Sequence, residues 1–218
     1  MEGIAHILTS VSAGWCGWTM LGLLLCVIIS EVLQTGAVTG AWMIFQAQSS
    51  NRAYKAAPDN FMGQLLVAIF RIGSLAMALC LCFDTGASFT FVKFAIAFGV
   101  ILVAFCIKML CNQWMDYTFM LSRRFEDIYV QYGHIVTLLA IVLYIGSMIL
   151  IHVSNPIAAR WVLGIAVCLF EIMLIYRGVQ VFYSSLLSVL YLLLYIITFE
   201  ALPLGAVWYV ASLIISVL

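Results

Sequence analysis

The sequence predicts an all-α polytopic membrane protein, a bundle of about six transmembrane helices with one or two interfacial amphipathic helices. Three observations carry this. The chain is 66% hydrophobic and 8% charged, with a mean hydropathy of +1.19, whereas a soluble domain carries roughly 25% charged residues. So apolar a globule has too few polar groups to cover its own surface, and lipid must solvate it. Its 218 residues are also laid out as long apolar runs parted by short polar loops; a helix needs roughly 20 residues at 1.5 Å rise to cross a hydrocarbon core of about 30 Å. Finally, the period-two alternation that marks membrane β-strands is absent, which excludes a β-barrel.

The first apolar run, Ala13 to Phe45, contains no Lys or Arg and exceeds one span. Glu31, Gln34, Thr35 and Gly36 interrupt it, so a span is expected over 13–34, followed by an interfacial continuation through Trp42 and Phe45. The N-terminal Met-Glu-Gly-Ile-Ala-His lacks the basic start and small-residue cleavage site of a signal peptide, so this run is expected to be retained. Gln46 to Asn60, with Arg52, Lys55 and Pro58, reads as the first polar loop. Spans follow at 61–83 and 89–111, joined by a tight turn at Asp84 to Ser88.

Asn112 to Gln131 is the most polar stretch, holding Asp116, Arg123, Arg124, Glu126 and Asp127 among Trp114, Tyr117, Phe119, Phe125 and Tyr129. Polar groups interleaved with aromatic anchors suggest an interfacial amphipathic helix. A fourth span is expected at 132–153, a turn at Ser154-Asn155-Pro156, and a fifth span at 157–176 ended by Arg177-Gly178. The sixth, at 184–214, is interrupted by Glu200 and Pro203. The whole chain is read as a single transmembrane domain, residues 1–218.

Charge adds orientation and exclusions. Nine basic residues balance nine acidic ones, which argues against nucleic acid as a partner. Arg52, Lys55, Lys108, Arg123, Arg124 and Arg177 fall after odd-numbered spans, against Lys93 and Arg160 on the opposite side. Cytoplasmic loops carry the excess of Lys and Arg, so both termini are expected to face the periplasm. The seven cysteines lie almost wholly within apolar runs and read as small packing residues. His6, His134 and His152 show no ligand spacing, so neither a metal nor a cofactor is expected.

Ionisable groups inside a span cost about 2.5–3.5 kcal/mol and normally pair or line a polar cavity. Arg71, Glu171 and Glu200 stand out on this ground, whereas Glu31 and Lys108 lie nearer span ends, where they can snorkel. Pro203 cannot donate to the carbonyl of Phe199, so the helix should loosen beside Glu200. A broken helix beside an acid is an ion-site arrangement in transporters; the plainer reading is an interhelical pair such as Glu200 with Arg71. Tyr191 and Tyr195 are one turn apart on the last run and read as packing residues with polar tips. No phosphate loop, nucleophile elbow or HExxH motif is present, and catalysis has no positive support.

Arg177 to Leu204 reads RGVQVFYSSLLSVLYLLLYIITFEALPL. It resembles the end of a Bacteroidota integral-membrane family, domain of unknown function 4271, whose members finish with a basic residue, a short F/Y element and FY-x-x-LYLC-x-LE-I-x-P. Tyr191, Leu194-Tyr195, Glu200 and Pro203 fit this pattern, whereas Ile196-Ile197-Thr198 departs from its leucine-cysteine. SRRFEDIYVQYGHIV, Ser122 to Val136, is similar to that family's polar loop before span four. The resemblance implies a multi-span inner-membrane protein and a special status for Glu200 and Pro203, with no catalytic residues. It also points to that phylum's envelope machines, such as its proton-driven secretion and gliding system.

The expectation is a non-catalytic inner-membrane scaffold or accessory subunit of a larger envelope complex. Its partners would be the lipid bilayer and other integral membrane proteins or further copies of itself. The competing reading is a small proton- or ion-coupled transporter or channel using Glu200, Glu171 and Arg71. A membrane enzyme acting on lipids ranks last, with only the Asn112 to Gln131 segment to draw on.

Overall fold

The computed structural model describes residues 2–33, 60–83, 90–119, 122–153, 156–182 and 202–217. They form six helices: α1 (Glu2–Leu33), α2 (Phe61–Phe83), α3 (Phe91–Phe119), α4 (Ser122–Val153), α5 (Pro156–Phe182) and α6 (Leu202–Val217). Five contain segments long and apolar enough to cross a bilayer: Gly14–Leu33, Phe61–Phe83, Phe91–Cys111, Tyr132–Ile151 and Ile157–Tyr176. The protein is therefore an all-α, multi-pass membrane protein. The interfacial continuation through Trp42 and Phe45, the turn at 84–88 and the first part of the sixth expected span lie outside the described residues.

Local chemistry sets several helix ends. Asn60 caps α2: its Oδ1 accepts from the Met62 amide at 3.2 Å, and its carbonyl accepts from Gln64 at 3.1 Å. Pro156 opens α5, the position at which a missing N–H costs nothing. At the other end of α2, the Arg160 guanidinium donates from Nε to the Cys82 carbonyl at 3.0 Å, satisfying an orphan acceptor at a helix C-terminus.

Three boundaries differ from the sequence expectation. Helix α1 begins at Glu2 rather than near residue 13, and α5 runs past Arg177-Gly178 to Phe182. The polar stretch from Asn112 is not a separate interfacial helix. It is divided between the end of α3, which continues to Phe119, and the start of α4 at Ser122. The reason is the same each time: hydropathy reports where the hydrocarbon ends, not where the hydrogen-bond ladder ends. Between Asn112 and Gln131 there is neither Gly nor Pro, the residues that most disfavour a helix.

Helix α2 is the centre of the bundle and packs against every other described helix. In its most apolar window 67% of residues are buried, against 17–39% in the other four spans. Its sequence explains this. Gly63, Gly73, Ser74, Ala76, Ala78, Cys80 and Cys82 are all buried, and small residues on several faces let neighbouring backbones approach. A Cβ at Gly73 would overlap the Leu23 side chain of α1, so glycine sets that approach.

The ends of the bundle are fixed by aromatic contacts. At one end Trp15 meets Phe91 edge-on at 5.8 Å, and Phe83 meets Trp208 at a tilt of 48° with centroids 4.7 Å apart. Farther in, the Tyr144 hydroxyl donates to the Met20 carbonyl at 3.1 Å, tying α4 to α1. The outward face of α5 carries Trp161, Ile165, Leu169, Ile172 and Tyr176, an apolar stripe bracketed by the aromatic types that favour membrane interfaces.

Candidate functional site

Arg71 lies midway along the 23 residues of α2, where an ionised side chain is most costly. Its Nε and Nη2 both donate to the Thr137 hydroxyl of α4, at 3.0 and 2.7 Å. The same hydroxyl donates to the Gly133 carbonyl one turn back, at 2.9 Å. A hydroxyl has one donor and two acceptor positions, so Thr137 is saturated and aligned by its own helix. The guanidinium lies over bare backbone at Gly133, where an added Cβ would stand 3.5 Å from Nη2.

The neighbours of this pair are also polar. Tyr132 and His134 flank Gly133, and both lie within electrostatic reach of Arg71. From α3, Lys108 donates to the Tyr132 hydroxyl and places its ammonium 4.3 Å from the ring centroid, a cation–π contact. On its other side Tyr132 meets Phe170 of α5 edge-on at 6.2 Å. Three helices thus bring Arg71, Lys108, Tyr132, His134 and Thr137 together in one half of the bundle. Charge in this cluster is positive, and its geometry suits two tasks: locking α2 to α4, and holding an anionic group at its rim.

The remaining residues singled out from sequence are distributed as follows. Glu171 follows Phe170 on α5 and is half-buried, with Oε1 shielded from the exterior. Pro203 is the second residue of α6 and lines a groove shared with α3. Arg123, Arg124, Glu126 and Asp127 belong to the first turns of α4. Glu200, Tyr191 and Tyr195 lie outside the described residues, and with them the expected pairing of Glu200 with Arg71. The seven cysteines are free thiols.

In the sequence little singles out Thr137, Gly133 or Tyr132, and Lys108 reads as a snorkelling end residue. One signal was present: Gly133 and Thr137 are four apart and share a helix face, and Tyr132 and His134 flank the glycine.

No curated protein and no solved structure matches the chain. The family model described as Domain of unknown function (DUF4271) matches residues 16–211, a stretch that includes Arg71, Lys108, Tyr132 and Thr137, and the chain belongs to that family.

Proposed function

We propose that this protein is a non-catalytic component of a bacterial inner membrane that works by helix-to-helix association, as a scaffold or accessory subunit of a larger envelope complex. The observation that carries this reading is the uneven burial of the bundle. Of the five described spans α2 alone is mostly buried, while the other four bury 17–39% of their most apolar windows, leaving long apolar faces for contacts within the bilayer. Arg71, the costliest residue described, is turned inward onto Thr137, which suits a fixed core better than a moving carrier.

The finer assignments belong to the same proposal. The excess of basic residues after odd-numbered spans supports cytoplasmic odd loops and periplasmic termini. The resemblance over Arg177 to Leu204 supports a Bacteroidota source and a role beside that phylum's secretion and gliding machinery.

A second reading is a small ion-coupled transporter using Arg71, Glu171 and Glu200. What favours it is a pair of buried hydroxyls, Ser74 on α2 and Ser147 on α4, that have no hydrogen-bond partner among the described residues. Polar groups left open in a bundle core are where an ion path would begin.

Gentle detergent extraction of the tagged protein from its native membrane, followed by mass spectrometry, separates the two. A stoichiometric membrane partner is the expected result. Purification alone and intact, under conditions that keep known complexes together, would overturn the accessory-subunit reading. Flux dependent on Arg71 and Glu171 in reconstituted vesicles would then favour transport.

A further inference from the structure

Between α3 and α6 runs an open groove of about 650 Å³, walled by Ile96, Val100, Val103 and Lys108 on one side and Pro203 and Val207 on the other. Its walls are apolar except at Lys108. We propose that the groove holds an acyl chain of an anionic phospholipid whose phosphate rests against Lys108 and Tyr132.

The position of the cation supports this occupant. Lys108 lies in the last turn of the span Phe91–Cys111, and its partner Tyr132 opens the span Tyr132–Ile151. Ammonium and phenol therefore share one membrane boundary, the level of lipid headgroups. From there the groove follows α3 back to Ile96, a rise of about 18 Å toward and past the bilayer midplane. A headgroup at Lys108 puts its tail along this path.

An open apolar groove of this length accommodates an extended hydrocarbon chain laid along α3. Charge selects the headgroup. Among the described wall residues Lys108 is the ionised one, and Arg71 lies within electrostatic reach of Tyr132. A net-negative headgroup is favoured over a zwitterionic one, whose own cation these groups repel.

The test uses the full chain in nanodiscs of equimolar phosphatidylglycerol and phosphatidylcholine, with retained lipid counted by native mass spectrometry. Wild type should retain phosphatidylglycerol in about fivefold preference, the effect of one basic side chain close to an anionic surface. Lys108→Arg should keep that preference and Lys108→Gln should lose it. Ala206→Phe, which fills the groove from an exposed position of α6, should lose the retained lipid while the protein stays monodisperse. Equal retention of the two lipids by wild type overturns the proposal, as does undiminished retention by Lys108→Gln or Ala206→Phe. A changed oligomeric state in Ala206→Phe also overturns it, because the groove would then be an interface between proteins.

Discussion

The Thr137 hydroxyl accepts both Nε and Nη2 of Arg71, across 66 residues of sequence, while donating to its own helix at Gly133. The arrangement carries the guanidinium of a mid-helix arginine to a neutral acceptor near the start of the span Tyr132–Ile151. Its strength lies in the asymmetry between a paired and an unpaired charge.

Removing the acceptor alone should therefore hurt more than removing both partners. Thr137→Val leaves a guanidinium in the core without its hydroxyl and should cost about 1.5–3 kcal/mol, the range for hydrogen bonds to charged groups. Thr137→Ser keeps the hydroxyl and should cost little. The double variant Arg71→Met with Thr137→Val should recover most of the loss, since replacing both partners of a buried polar pair is often close to neutral. Thermal unfolding in a mild detergent measures all four proteins. A double variant less stable than Thr137→Val would mean that Arg71 contributes through some contact other than Thr137.

Gly73 and Gly133 both face a neighbouring side chain but should respond in opposite ways. At Gly73 a Cβ would overlap Leu23, a 6% exposed core residue of α1. Gly73→Ala should cost about 1–3 kcal/mol by overpacking, and Leu23→Ala should relieve part of that cost. At Gly133 the added Cβ would meet only the guanidinium, at 3.5 Å, an ordinary contact. Gly133→Ala should be neutral or stabilising by up to about 1 kcal/mol through helix propensity. Unchanged stability of Gly73→Ala would contradict the close approach of α1 and α2.

How much of this was legible beforehand differs between fold and site. The bilayer imposes length and internal hydrogen bonding on anything that crosses it, so the membrane class and its helices can be read from hydropathy. Helix ends cannot be read that way, because Glu2 to Ala13 and Arg177 to Phe182 extend a ladder beyond the hydrocarbon, where no apolar signal is required. Arg71 within the site and Glu171 outside it are visible because burying charge is costly wherever it occurs. Thr137 is not, since threonine is inexpensive inside a helix and its partner lies on another one. The sequence places Lys108 near a span end, but its place on the ring of Tyr132 depends on how α3 and α4 pack.

The buried serine and threonine hydroxyls divide into two kinds. Ser30 and Thr137 each donate to a carbonyl of their own helix, at 2.7 and 2.9 Å. Ser74 and Ser147 have no partner among the described residues, and each therefore carries a desolvation cost of about 1–3 kcal/mol. Ser74→Ala and Ser147→Ala should raise the melting temperature, singly and together. Destabilisation by both would instead indicate a bound water or ion between α2 and α4 and would strengthen the transport reading.

Orientation is open to a direct measurement, because exposed residues stand near both ends of α3. Thr90 precedes its first turn, and Gln113 lies beyond Cys111, on the side where Lys108 meets Tyr132. Short loops rich in Lys and Arg stay in the cytoplasm, and the stretch after α3 brings Arg123 and Arg124 to the side of Gln113. Single cysteines placed at these two positions in a cysteine-free background should label oppositely with a membrane-impermeant maleimide. Thr90→Cys should react in intact spheroplasts, whereas Gln113→Cys should react only in inverted vesicles. The reverse pattern would invert the bundle and put the Lys108 rim, with its proposed lipid, in the outer leaflet. Labelling of both from one side would mean that Phe91–Cys111 does not cross the bilayer.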